Sequence, residues 1–151
     1  MRLDPTGSST QEIESESDFY QRVRKRCLGV IGFERVEPSN ESGFPDTYFV
    51  LKSPKCKRRE GTVEFKFWHG KGAPDISGDI TRGTQKTGLI EYAAMGGNRR
   101  FFLVYTKSGE VWLYNTADAV HSVVKKENRV SSMANLEEPA FVHWLMSNLE
   151  K

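Results

Sequence analysis

Thr62-Val63-Glu64-Phe65-Lys66-Phe67-Trp68 reads as a β-strand whose two faces carry different chemistry. Side chains alternate sides along an extended chain, so Val63, Phe65 and Phe67 leave one face while Glu64 and Lys66 leave the other. The first face belongs in a core. The second sets a carboxylate beside an ammonium.

Working outward toward the amino terminus, Asp46 opens a second β-type run, Thr47-Tyr48-Phe49-Val50-Leu51, and Ser53, Pro54 and Gly61 supply turn chemistry between the two runs. An antiparallel pair of these strands brings Asp46 alongside Glu64. Two carboxylates a few ångströms apart repel unless a cation sits between them. Their hard oxygens suit Mg²⁺, which keeps several waters and is held by one or two carboxylates plus a phosphate. Lys66 is then placed to orient a water or to offset negative charge on phosphorus.

Residues 1–12 are polar and turn-rich and read as a flexible leader. From Ile13 onward, Phe19, Val23, Cys27 and Val30 or Ile31 recur at helical spacing, and Gly32 marks the expected end of that helix. A strand over Phe33 to Glu37 and a turn over 39–43 lead into the two strands already read. Residues 69–80 form a loop punctuated by Gly70, Gly72, Pro74 and Gly78. A helix from about Thr81 to Met95 is expected to bury Leu89, Ile90, Ala93 and Ala94 and to stop at Gly96-Gly97. Phe101 to Tyr105 is apolar throughout, as a central strand covered on both faces would be. Lys107-Ser108-Gly109 turns into Glu110 to Tyr114, read as an edge strand. Asn115 or Thr116 caps a helix to about Val124, and Glu137 to Leu149 forms a last helix with Phe141, Trp144, Leu145 and Leu149 on one stripe. The order α-β-β-β-α-β-β-α-α predicts an α/β fold of mixed α+β character: one domain over 13–151, built on a central mixed β-sheet flanked by helices.

Pro45-Asp46, seventeen intervening residues, and then Glu64-Phe65-Lys66 resemble the signature of the PD-(D/E)XK nuclease superfamily. The resemblance covers residues 14 to 115. It extends to the stretch Arg82 to Gly97, similar to the helix that follows the Glu-x-Lys strand in phage-type and VRR-NUC-like members, where a Gln sits near the helix start. Small single-domain members are the most similar: phage or homing endonucleases, VRR-NUC-like proteins and Holliday junction resolvases. The resemblance implies a restriction-endonuclease-like αβββαβ core with extra C-terminal helices. It implies a metal-dependent endodeoxyribonuclease that hydrolyses phosphodiester bonds in duplex or branched DNA. Asp46, Glu64 and the carbonyl of Phe65 would hold Mg²⁺, with Mn²⁺ able to substitute. Lys66 would position the nucleophile, Gln85 would orient water or grip the scissile phosphate, and Arg82 or Lys86 would clamp a neighbouring phosphate. An acid from the first helix often joins such sites; Glu16 is the candidate here, with Glu14 and Asp18 beside it. The alternative is a non-catalytic nucleic-acid-binding module that keeps the fold.

Charge distribution fits a DNA partner. Residues 1–18 carry Arg2 against five carboxylates, a net of −4, so residues 19–151 hold +6 of a chain whose total is +2. Lys52, Lys55, Lys57, Arg58 and Arg59 crowd the turn between the two site strands, where each phosphate neutralised would release counterions. Solvation of an ordinary loop is the plainer reading of the same run. With 37% hydrophobic and 11% aromatic residues, the 151-residue chain supports one buried core, and no apolar run reaches membrane-spanning length. No secretory signal is visible, so a cytoplasmic location is expected, in the nucleoid or in a phage-infected cell. Cys27 and Cys56, separated by 28 residues, lack metal-ligand spacing and read as reduced thiols. His69, His121 and His143 are isolated; His121 and His143 read as structural or surface groups, and substrate contact is the lesser reading for His69, which follows the Glu-x-Lys strand closely. One active site per chain implies a homodimer or higher assembly if both strands are cut.

Overall fold

The computed structural model describes residues 2–3, 9–10, 12–36, 47–55, 57–78, 83–136 and 140–151. A short antiparallel ribbon, β1 (Arg2–Leu3) with β2 (Ser9–Thr10), lies within the stretch read as a leader. The body is a six-stranded mixed sheet in simple sequence order: β3 (Ile31–Arg35), β4 (Thr47–Leu51), β5 (Glu60–Trp68), β6 (Arg100–Thr106), β7 (Glu110–Tyr114) and β8 (Ser132–Asn135). Every neighbouring pair is antiparallel except β5 and β6, which run parallel from Thr62↔Arg100 to Trp68↔Thr106. A parallel pair needs a long crossover. Here it contains α2 (Thr84–Ala94). The helices α1 (Glu16–Arg26), α3 (Thr116–Lys125) and α4 (Phe141–Leu149) complete the fold, so the expected central sheet flanked by helices is observed.

Alternation along the strands divides the core in two. Phe49, Leu51, Val63, Phe65, Phe101, Leu103, Val111 and Leu113 face α1 and α4, meeting Phe19, Val23, Phe141 and Leu145. Phe102, Val104 and Tyr114 face the other way and meet Leu89 of α2, Ala119 and Val123 of α3, and Ile76 of the crossover. Phe65 anchors the first layer edge-on to Phe19, Tyr20 and Phe33, with ring centroids 5.5, 5.2 and 5.7 Å away.

Three expectations need correction. The first helix ends at Cys27, not Gly32, because Gly29 takes a left-handed φ of 91° and turns the chain; Ile31 and Gly32 already belong to β3. The strand read at the sheet edge, β7, is interior, because β8 pairs with it from Glu110↔Asn135 to Leu113↔Ser132. In α2 only Leu89 is buried, while Ile90 and Ala94 are exposed and Ala93 is half-buried. The last helix is described from Phe141, its expected first residues 137–139 lying outside the described residues. The stop at Gly96 holds, with φ of 90° just past the Met95 cap.

Candidate active site

Glu64 and Lys66 sit in the second half of β5, opposite Phe102 and Val104 in the parallel ladder. Those partners belong to the layer covered by α2 and α3, so the two polar side chains leave the face opposite Phe65, as alternation requires. The Glu64 side chain is only 5% exposed, and its Oε2 lies 3.8 Å from Lys66 Nζ. The same ammonium stands 3.9 Å from Glu16 Oε1, on a side chain that is 48% exposed. One cation thus links a carboxylate inside the protein to one facing solvent. Burying a charge without a partner is costly, and Lys66 is a compensating charge for Glu64.

Glu16 is delivered by the way α1 begins. Ser15 caps the helix, its Oγ accepting from the backbone N–H of Asp18 at 3.1 Å, and the Asp18 carboxylate accepts from the N–H of Glu14 at 3.1 Å. Glu16 is therefore fixed as the first residue of the first turn. Of the three acids considered on this helix, Asp18 is committed to the cap and Glu16 reaches the cluster. Glu14 lines the adjoining open cleft of about 550 Å³ with Ser15, Glu16, Ser17, Lys66, Phe67 and His69. The His69 ring stacks on Phe67, centroids 4.5 Å apart, and stays exposed. Ser15 and Ser17 escaped notice in the sequence because a serine near a helix start signals a cap long before it signals a cleft wall.

The remaining expected site residues are dispersed. Asp46 and Arg82 lie outside the described residues, as does Cys56. Gln85 is half-buried in the first turn of α2, on the face to which Glu64 and Lys66 point. Lys86 donates from Nζ to the carbonyl of Ser77 at 2.6 Å and so pins the crossover loop to α2. Lys52, Lys55, Lys57, Arg58 and Arg59 are exposed, but they occupy the far end of the β4–β5 hairpin. Six residues of strand, about 20 Å at ~3.3 Å per residue, separate Glu60 from Lys66. Among the described residues no group of three or more His, Cys, Asp or Glu side chains is arranged to hold a metal ion.

A second polar cluster surrounds α3. Asp118, with a side chain 5% exposed, pairs with Arg129 Nε at 3.2 Å; burial nevertheless holds its carboxyl above the usual range, against the opposing pull of that guanidinium. Burial likewise pushes the Tyr114 phenol well up, and its hydroxyl donates to Asn128 Oδ1 at 3.3 Å. Asn128 also donates to the carbonyl of Pro74, so the cluster ties the crossover loop to the end of α3. His121, 3.1 Å from Glu127, and His143 belong to α3 and α4, consistent with structural or surface roles.

No helix among the described residues is long and apolar enough to cross a membrane. With the geometry in place, comparison adds no relative: no protein-family model, no curated protein and no solved structure matches the chain.

Proposed function

We propose that the chain is a metal-dependent endonuclease hydrolysing phosphodiester bonds of duplex or branched DNA. The observation that carries this reading is the convergence of Glu64, Lys66 and Glu16 beside an open cleft, on consecutive α-β-β-β-α-β elements. Glu64 and Glu16 offer two hard oxygen ligands, one sheltered and one in water, a donor set that fits Mg²⁺ or Mn²⁺. On the Pro45-Asp46 and Glu64-Phe65-Lys66 spacing of the sequence we include Asp46 as a third acid, with the carbonyl of Phe65.

A bound divalent ion would supply Lewis acidity and a more acidic water at this point. The chain's own groups have separate tasks. Lys66 places a positive charge where negative charge grows on the phosphoryl oxygens. Glu16, exposed at the cleft wall, accepts a hydrogen bond from water and orients it. His69 lines the same cleft, where a bound phosphate would come within its reach. Gln85 would contribute from α2, and Arg82 joins it on the sequence resemblance alone. Cutting both strands with one such site per chain calls for a symmetric pair of chains, and a DNA substrate places the work in the cytoplasm, at the nucleoid or in a phage-infected cell.

The decisive experiment incubates supercoiled plasmid, a synthetic four-way junction and single-stranded oligonucleotide with the protein, with and without Mg²⁺. Cleavage is expected only with the metal, and Glu64→Ala or Lys66→Ala should lower it by about 100-fold or more. Unchanged cleavage in either variant would overturn the assignment. Binding without cleavage in any metal would identify a non-catalytic module instead.

A further inference from the structure

The end of the sheet farthest from Lys66 collects positive charge from two elements distant in sequence. The turn after β4 exposes Lys52, Lys55, Lys57 and Arg59, and the last turn of α1 exposes Arg24 and Lys25. They are physically joined. Lys52 N–H donates to the carbonyl of Val30 at 2.9 Å, in the turn that leaves α1, and Leu51 N–H donates to the carbonyl of Arg59 at 2.7 Å to close the hairpin.

Two further arginines fix this frame. Arg58 donates to the carbonyl of Lys151 at 3.0 Å. Arg99 donates to the carbonyls of Glu60 and Arg58, each at 3.0 Å, and to that of Leu149. The hairpin is thereby bound to the C-terminal end of α4, where cations complement the helix dipole. A shallow groove of about 350 Å³ lies between them, lined by Ser53, Lys55, Lys57, Arg58 and Glu150. Lysines and arginines from two elements joined by backbone hydrogen bonds form one positive surface that complements a polyanion. Leu28, 79% exposed, after α1 and Met95, 82% exposed, in the loop leading to Arg99 are too little for an interfacial segment that must sink an apolar face into lipid.

We propose that this basic end is an anchor for the phosphate backbone of duplex DNA, distinct from the Glu64–Lys66 cleft and about 20 Å from it along β5. The choice of polymer rests on the endonuclease reading; the binding itself does not require catalysis. The anchor works without metal. Its position sets the span between grip and cut at about six nucleotide steps, taking ~3.4 Å per step.

The test is fluorescence anisotropy of a labelled duplex with the full chain in EDTA, titrated across salt. The double variant Lys55→Glu/Lys57→Glu should weaken binding by about tenfold or more and reduce the slope of log affinity against log salt by about two, near 0.9 for each phosphate no longer neutralised. Lys125→Glu on α3 should leave both quantities unchanged, with circular dichroism confirming that both variants fold. Absence of cleavage by the wild type with binding intact would sink the endonuclease reading alone. Unchanged affinity and slope in the double variant would overturn the anchor, as would vesicles rich in phosphatidylserine that compete as well as unlabelled duplex.

Discussion

Cys27 shows how much one side chain can disclose. It falls on the apolar stripe of the first helix, and its thiol is free and fully buried where α1 ends. Burial pushes its pKa up to about 12 from an ordinary 9.0, with only a small opposing pull from Arg26. The folded chain therefore keeps the proton over a range in which the unfolded chain releases it. Stability is undiminished below the ordinary thiol range and declines as pH climbs through it toward about 12. In a Cys56→Ser background, Ellman's reagent at mildly alkaline pH should leave Cys27 unmodified until denaturant is added. Rapid labelling of the native protein would contradict the packing described. The Glu64 and Lys66 side chains were equally legible, because period-two alternation fixes their face whatever surrounds the strand. Glu16 was harder to choose among three acids, and only the Ser15 cap decided it.

Elements were readable where one signal dominated and misread where two coincided. Ile31 continues the helical stripe of Phe19, Val23 and Cys27, yet it is buried as the first residue of β3; a core-facing strand position mimics the next turn of a helix. The strand β8, Ser132-Met133-Ala134-Asn135, has no β-branched residue and no long apolar run, so nothing local announced it. Its pairing with β7 made an interior strand of an expected edge. In α2, apolar Ile90 and Ala94 remain outside because the helix turns mainly Leu89 to the sheet. The α1 cap offers an element-level prediction. Ser15→Ala removes the acceptor for Asp18 N–H and should cost about 1 kcal/mol, read as a lower denaturation midpoint at unchanged m. Because Glu16 is the next residue, cleavage by this variant should fall further than its stability loss explains; full activity would show that Glu16 needs no such placement.

At the scale of the whole molecule, α1 and β5 each link the two ends to which function is proposed. The helix begins at the acidic cleft and finishes in basic side chains, and the strand runs from the hairpin to Lys66. A duplex that occupies both ends must cover the distance between them. Within a long, stable duplex, cleavage efficiency should therefore drop sharply when the scissile bond lies fewer than about six base pairs, at ~3.4 Å each, from the end, while more central bonds are cut alike. Equal kcat/KM at terminal and central positions would remove the far end from catalysis. None of this separation was legible beforehand, since adjacency in the chain suggested that the lysine-rich turn adjoins the acids; a hairpin places its turn at the end opposite its open termini.

The lone parallel pairing in the sheet has a consequence for synthesis. The hairpin partner of β5 precedes it on the chain, but the strand that seals its other side, β6, is made only after the whole crossover has been synthesised. Until then Glu64 has no neighbour at Phe102 and lies on an open border of the nascent sheet. Burial of Glu64 is thus tied to completion of the core.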